Sequence, residues 1–149
     1  MKTVMRRLLV IALLLFGSRA VTAQTITFTN GNGGAFTIAS AVAGQDPTAV
    51  SNGAGNFTTN TKKNDGILRI RAQLDLPMPP NTTLTLTLTY PAGTSQGPQV
   101  LSITPVDMIV SIPSASTIRT GTVSYAFTAT ASAGVLAPFQ RIVTLTIVP

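Results

Sequence analysis

The 149-residue chain has no cysteine, no histidine, no tryptophan and no glutamate, and charged residues make up only 9% of it. Each absence removes a class of chemistry. Without cysteine there is no disulfide framework, no thiol nucleophile and no lipid-acceptor thiol behind a signal sequence. Without histidine or cysteine, a Ser-His-Asp triad cannot be assembled, and zinc and copper lose their usual ligands. The carboxylates number four, Asp46, Asp65, Asp75 and Asp107. Asp75 alternates outward on a strand-like run, and the other three lie at loop or strand-end positions where aspartate caps turns. Lys62 and Lys63 fall in a polar stretch, where an amine keeps its proton and makes a poor general base. Asn60, Asn64 and Asp65 are close in sequence, but their spacing is not that of a calcium loop, and they read as an ordinary polar loop. The expectation is a non-catalytic protein with no metal and no cofactor.

Aromatic residues are scarce too, at 5% of the chain. A sugar-binding platform needs an exposed ring, whereas Tyr90 and Tyr125 fall on the apolar sides of their segments, as core residues do. Phe57 and Phe139 stand in loop-like contexts and read as satellites of the core.

The first 23 residues carry an export signature. Lys2, Arg6 and Arg7 precede an apolar run over residues 8–16, and the small-residue end Val21-Thr22-Ala23 follows. That order marks a secretory signal peptide, its apolar run being too short to span a membrane. Cleavage is expected between Ala23 and Gln24, leaving one domain over residues 24–149, secreted to the extracellular space or cell surface, with no membrane span. Four of the ten Lys and Arg residues leave with the signal, and six cations against four carboxylates give the remainder a net charge of +2. No cluster of cations remains for nucleic acid, which needs several phosphate contacts at once.

Period-two alternation dominates the rest, and helical periodicity is nearly absent. Residues 83–90 alternate Leu84, Leu86, Leu88 and Tyr90 with four threonines, the pattern of a half-buried antiparallel strand. Over residues 66–76, Leu68, Ile70, Ala72, Leu74 and Leu76 are expected inward, with Arg69, Arg71, Gln73 and Asp75 outward. The proline-rich segment 77–81 separates these two strands. Residues 25–29 form another candidate strand; Asn30-Gly31 is a tight-turn dipeptide that predicts a hairpin with residues 35–41. Strands are also expected over 100–104 and 107–112, where the intervening Pro105 predicts a bulge or a switch between sheets, and over 122–130 and 142–148. Residues 44–64, rich in Gly, Asn, Ser and Thr, read as a surface loop with at most a short strand near Phe57. Seven or eight short strands with turn signals between them predict an all-β, immunoglobulin-like antiparallel sandwich.

The threonine rows are good strand formers on a solvated face; an ice-binding array would need a regular repeat, which the chain lacks. Proteins normally guard their sheet edges with Lys, Pro or bulges, yet residues 83–90, 122–131 and 142–148 carry no charge. Uncharged edges suit pairing with another strand. The candidate assembly residues are Thr25, Ile26, Thr27 and Phe28 in the first segment, and Val143, Leu145 and Ile147 in the last.

A signal sequence, a short alternating segment at residues 25–29, a Thr-rich sandwich and the final run Arg141 to Val148 together resemble small secreted bacterial immunoglobulin-like subunits, the spore-coat-U-like pilins among them. Two features depart from that group: the cysteine pair common in pilin subunits is missing, and the last strand lacks an aromatic ending. The resemblance implies a structural subunit of a cell-surface or pilus-like fibre, whose partners are further copies of itself or other surface proteins. The competing expectation is an adhesin or carbohydrate-binding module with its site in the 44–64 segment.

Overall fold

A computed structural model describes residues 24–30, 35–38, 42 and 44–149. The expected signal peptide, Ala23 included, and most of the 31–43 connection lie outside the described residues.

Among the described residues, nine strands form two antiparallel sheets: β1 (Thr25–Asn30), β2 (Val50–Thr61), β3 (Ile67–Leu74), β4 (Thr82–Thr89), β5 (Thr94–Ser95), β6 (Gln99–Val100), β7 (Val106–Pro113), β8 (Thr117–Ala129) and β9 (Val143–Val148). The first sheet has the order β1-β2-β8-β4-β6, and the second β5-β7-β3-β9. The chain is therefore the all-β antiparallel sandwich that alternation predicts. Its inner faces meet in one core: Leu68, Ile70, Leu74, Met108 and Ile112 from one sheet lie against Phe57, Leu86, Leu88 and Val123 from the other. In β3 and β4 the inward rows are the expected ones, with Leu76 the exception at 55% exposure. Strand β3 ends at Leu74, so Leu76 belongs to the proline loop and loses the alternation it was read with.

Residues 44–64 correct the sequence reading. Twelve of them, Val50–Thr61, form β2, which lies between β1 and β8. Its inward positions include Gly55, Phe57, Thr59 and Thr61, and only one of these four is a large apolar residue. The alternation of burial is real, but hydropathy does not report it, because small and hydroxylated residues fill the inner face. Phe57 is fully buried at the centre of the core, where its ring stacks on Tyr90 at 5.7 Å between centroids. Gly121 stands opposite it on β8, and only glycine leaves room for the ring. The buried Thr59 hydroxyl is satisfied by the Tyr90 hydroxyl at 2.5 Å, and that of Thr61 donates to the Ala115 carbonyl at 2.7 Å. A polar inner row is stable only when each group finds such a partner.

Two further expectations change. Of the hairpin predicted at Asn30-Gly31 with residues 35–41, the turn residues 31–34 and residues 39–41 lie outside the described residues; residues 35–38 are not in a strand, and β1 pairs with β2. Phe36 and Ile38 instead lean on the core, Phe36 at 6.5 Å from Tyr125 and 6.1 Å from Phe127. The strand read over 100–104 shortens to β6, and Pro105 marks a sheet switch, since β6 lies in one sheet and β7 in the other. Strand β7 also bulges against β3, and Ser111 takes a φ of 57° there.

Candidate strand-edge interface

The topology leaves each sheet two edges, and they differ in quality. On one side lie β5 and β6, each two residues long. On the other lie β1 and β9, each six residues long and close to one another across the two layers. The seven residues singled out for assembly thus fall on strands whose outer edges pair with nothing among the described residues.

Strand β9 pairs with β3 in an unbroken register from Arg69↔Val148 to Leu74↔Val143. Just before it, the Asp75 amide donates to the Ile142 carbonyl at 3.1 Å, and the Ile142 amide donates to Asp75 Oδ1 at 2.9 Å. Both main-chain groups of Ile142 therefore point toward β3. Antiparallel strands alternate the direction of these groups from residue to residue. Thr144, Thr146 and Val148 then bond to β3, while the amides and carbonyls of Val143, Leu145 and Ile147 face the open edge. The side chains of these same three residues point inward, with Ile147 buried and Val143 and Leu145 half-buried against the core. Thr144 and Thr146 are exposed on the outer face. The strand carries no charge, no proline and no bulge, the usual guards of an edge.

Strand β1 offers a less regular edge. Ile26 and Phe28 are half-buried against the core and Thr25 and Thr27 are exposed, but the pairing with β2 shifts register between Phe28 and Asn30.

The other uncharged segments are not open edges. Strand β8, read from sequence over 122–130 and extended here back to Thr117, runs through the middle of its sheet, bonded on one side to β2 and on the other to β4. A central strand needs no charge to prevent mispairing, so the neutrality of residues 122–130 carries no signal about assembly. The far side of β4 is partly covered: Thr85 and Leu86 pair with β6, the Leu84 carbonyl accepts from the Leu101 amide, and the Leu88 carbonyl accepts from the Ser95 hydroxyl, the last two at 2.9 Å.

The four aspartates are engaged locally. Asp107 accepts from Arg71 Nε at 2.6 Å and lies 3.5 Å from the Arg69 guanidinium, on the outer face of its sheet. Asp65 accepts from the Lys62 amide at 3.0 Å, closing the β2–β3 turn. Among the described residues no three carboxylates gather into a metal-binding group. Tyr125 is buried, and desolvation pushes its phenol above the ordinary value. Phe139 packs edge-on against Phe127 and carries the Arg141 guanidinium over its ring at 5.1 Å.

At one end of the sandwich a depression of about 540 Å³ is lined by Asp46, Pro47, Ala49, Asn81, Thr82, Thr83, Thr128, Ala129 and Thr130. It is what the folded chain retains of the loop expected at 44–64. Asp46 Oδ1 already accepts from the Ala131 amide at 2.7 Å, and among the described residues no aromatic ring lines the floor. Among the described residues, no helix is long and apolar enough to cross a membrane.

Comparison with known proteins finds no matching family model, no matching curated protein and no matching solved structure.

Proposed function

We propose that this is a non-catalytic, secreted structural subunit of a cell-surface or pilus-like fibre, released by cleavage between Ala23 and Gln24 and associating through its strand edges. The observation that carries the reading is the edge of β9, open among the described residues, uncharged and unbulged, with the edge of β1 on the same side of the sandwich. An exposed edge of this kind is a liability for a protein that must stay alone and an asset for one that must assemble. The export signature and the resemblance to pilin-like subunits support it further. Electron microscopy of native cells and size-exclusion chromatography of the mature protein test it. Filaments and concentration-dependent association are the expected results; a species that stays monomeric at high concentration, with no filaments on cells, overturns it.

A second reading has its own observation. The Asp46 depression presents one carboxylate, an amide and several hydroxyls, which suits a neutral, hydroxyl-rich ligand, so an extracellular adhesin or carbohydrate-binding module remains the alternative. Glycan-array binding that disappears in Asp46→Ala decides for it, and an empty array decides against it.

A further inference from the structure

We infer that two copies of this chain associate by pairing β9 with β9 about a two-fold axis through Leu145, an inference that rests on the strand-edge reading and gives it a geometry. Three features of β9 lead there. First, its open-edge hydrogen-bonding groups belong to Val143, Leu145 and Ile147, as the two bonds between Asp75 and Ile142 fix. In an antiparallel pair these groups bond only to residues of the partner that also face outward. Second, the sequence reads alike in both directions from Leu145: valine, threonine, leucine, threonine, isoleucine. Antiparallel pairing centred on that residue sets Val143 opposite Ile147 of the second copy and Leu145 opposite its own equivalent. All three pairs are of the hydrogen-bonded kind and contribute about six main-chain bonds. Between them, Thr144 lies opposite Thr146 of the second copy, twice by symmetry, as close, non-hydrogen-bonded pairs that favour threonine-to-threonine contact.

Third, the faces match. Val143, Leu145 and Ile147 lie on the core side, so the apolar row of one copy continues into that of the other. Thr144 and Thr146 lie on the solvent side, and the hydroxyl row continues there. A one-residue slip would set outward-bonding groups against inward-bonding ones and is excluded. Arg141, the nearest charge in sequence, falls outside the paired stretch, at opposite ends of the ladder in the two copies. It is also held by the Pro77 carbonyl at 2.8 Å and the Gln140 carbonyl at 2.6 Å.

The other edges fit a second copy less well. Strands β5 and β6 are two residues long, and β1 breaks register at Phe28. A two-fold contact uses the same patch on both partners and closes on itself. It joins the four-stranded sheets of two copies into one continuous sheet, and the dimer becomes the unit from which a fibre grows.

The absence of native cysteine makes the test clean. Thr144→Cys and Thr146→Cys are prepared separately in the mature protein, each at an exposed position that leaves the core intact. Under mild oxidation, the mixture of the two is expected to give a disulfide-linked heterodimer, and neither alone a comparable homodimer. The double variant Thr144→Lys/Thr146→Lys sets two like-charged pairs across the axis and is expected to weaken dimerisation about tenfold by analytical ultracentrifugation. Thr144→Lys/Thr146→Asp sets opposite charges across it and is expected to restore the dimer, with circular dichroism reporting an unchanged fold in each. A monomer at every concentration, homodisulfides formed in preference, or a like-charge variant as dimeric as the parent overturns the inference. Fibres that persist on cells carrying Thr144→Lys/Thr146→Lys also overturn it while leaving the fibre reading intact. A dimer with the expected cross-links but no fibre on any cell does the reverse.

Discussion

Replacing Gly121 by alanine probes the part of the fold that the sequence hides best. The position is opposite Phe57 in the β2–β8 register. A methyl group there would collide with the Phe57 ring and approach the Thr89 carbonyl to 2.6 Å. Neither neighbour yields easily: the ring is fully buried and stacked on Tyr90, and the carbonyl belongs to the adjacent strand β4. Overpacking of this kind typically costs about 1–3 kcal/mol, and a backbone atom among the clashing neighbours places this case near the upper value. Domains have about 5–15 kcal/mol of stability in all, so the midpoint of urea unfolding should fall clearly while its slope stays unchanged. The partner variant Phe57→Ala should cost about 3–5 kcal/mol alone, since it removes a buried ring. In the double variant the alanine at 121 meets space rather than a ring, so the two effects should fall short of additivity by about 1–2 kcal/mol. If Gly121→Ala unfolds within about 0.5 kcal/mol of the parent, the size of an ordinary surface change, Phe57 does not lie over Gly121 and the placement of β2 is wrong.

Two further outcomes follow from buried hydroxyls. Tyr90→Phe strands the fully buried Thr59 hydroxyl and should cost about 1–3 kcal/mol, whereas Thr59→Val combined with Tyr90→Phe should recover most of that loss in the same urea assay. Burial raises the Tyr125 phenol, so the unfolded chain releases this proton at lower pH than the folded one. The stability this neutral phenol contributes is complete below its unfolded value of about 10 and declines as pH rises from there through the folded value; Tyr125→Phe should flatten that alkaline decline in melts taken between neutral pH and pH 11, and an unchanged decline would sink the assignment.

How well each element could be read depended on which physical signal it used. Strands β3 and β4 announced themselves because their inner rows are leucine and isoleucine and their outer rows are polar, so hydropathy and burial rise and fall together. Strand β2 stayed hidden because glycine and threonine fill much of its inner row, and their burial depends on partners such as Tyr90 and Ala115, distant in sequence. Pairing was equally illegible at β1. Its partner β2 begins some twenty residues further along the chain, and no local turn signal in the sequence announces that pairing. The candidate edge was half legible: the lack of charge in residues 142–148 can be read from the sequence, but the same lack in residues 122–130 means only that β8 is central.

The missing reactive side chains, and the extended, alternating character of the chain, could be read from residue order alone. Both follow from residue identity and from a side-chain period of two, which are local properties. Which strands stand at an edge, and which way their unpaired amides and carbonyls face, became visible only in the folded chain. That depends on neighbours brought together from far along the chain: among the described residues β9 pairs with β3 alone, which leaves its other side open.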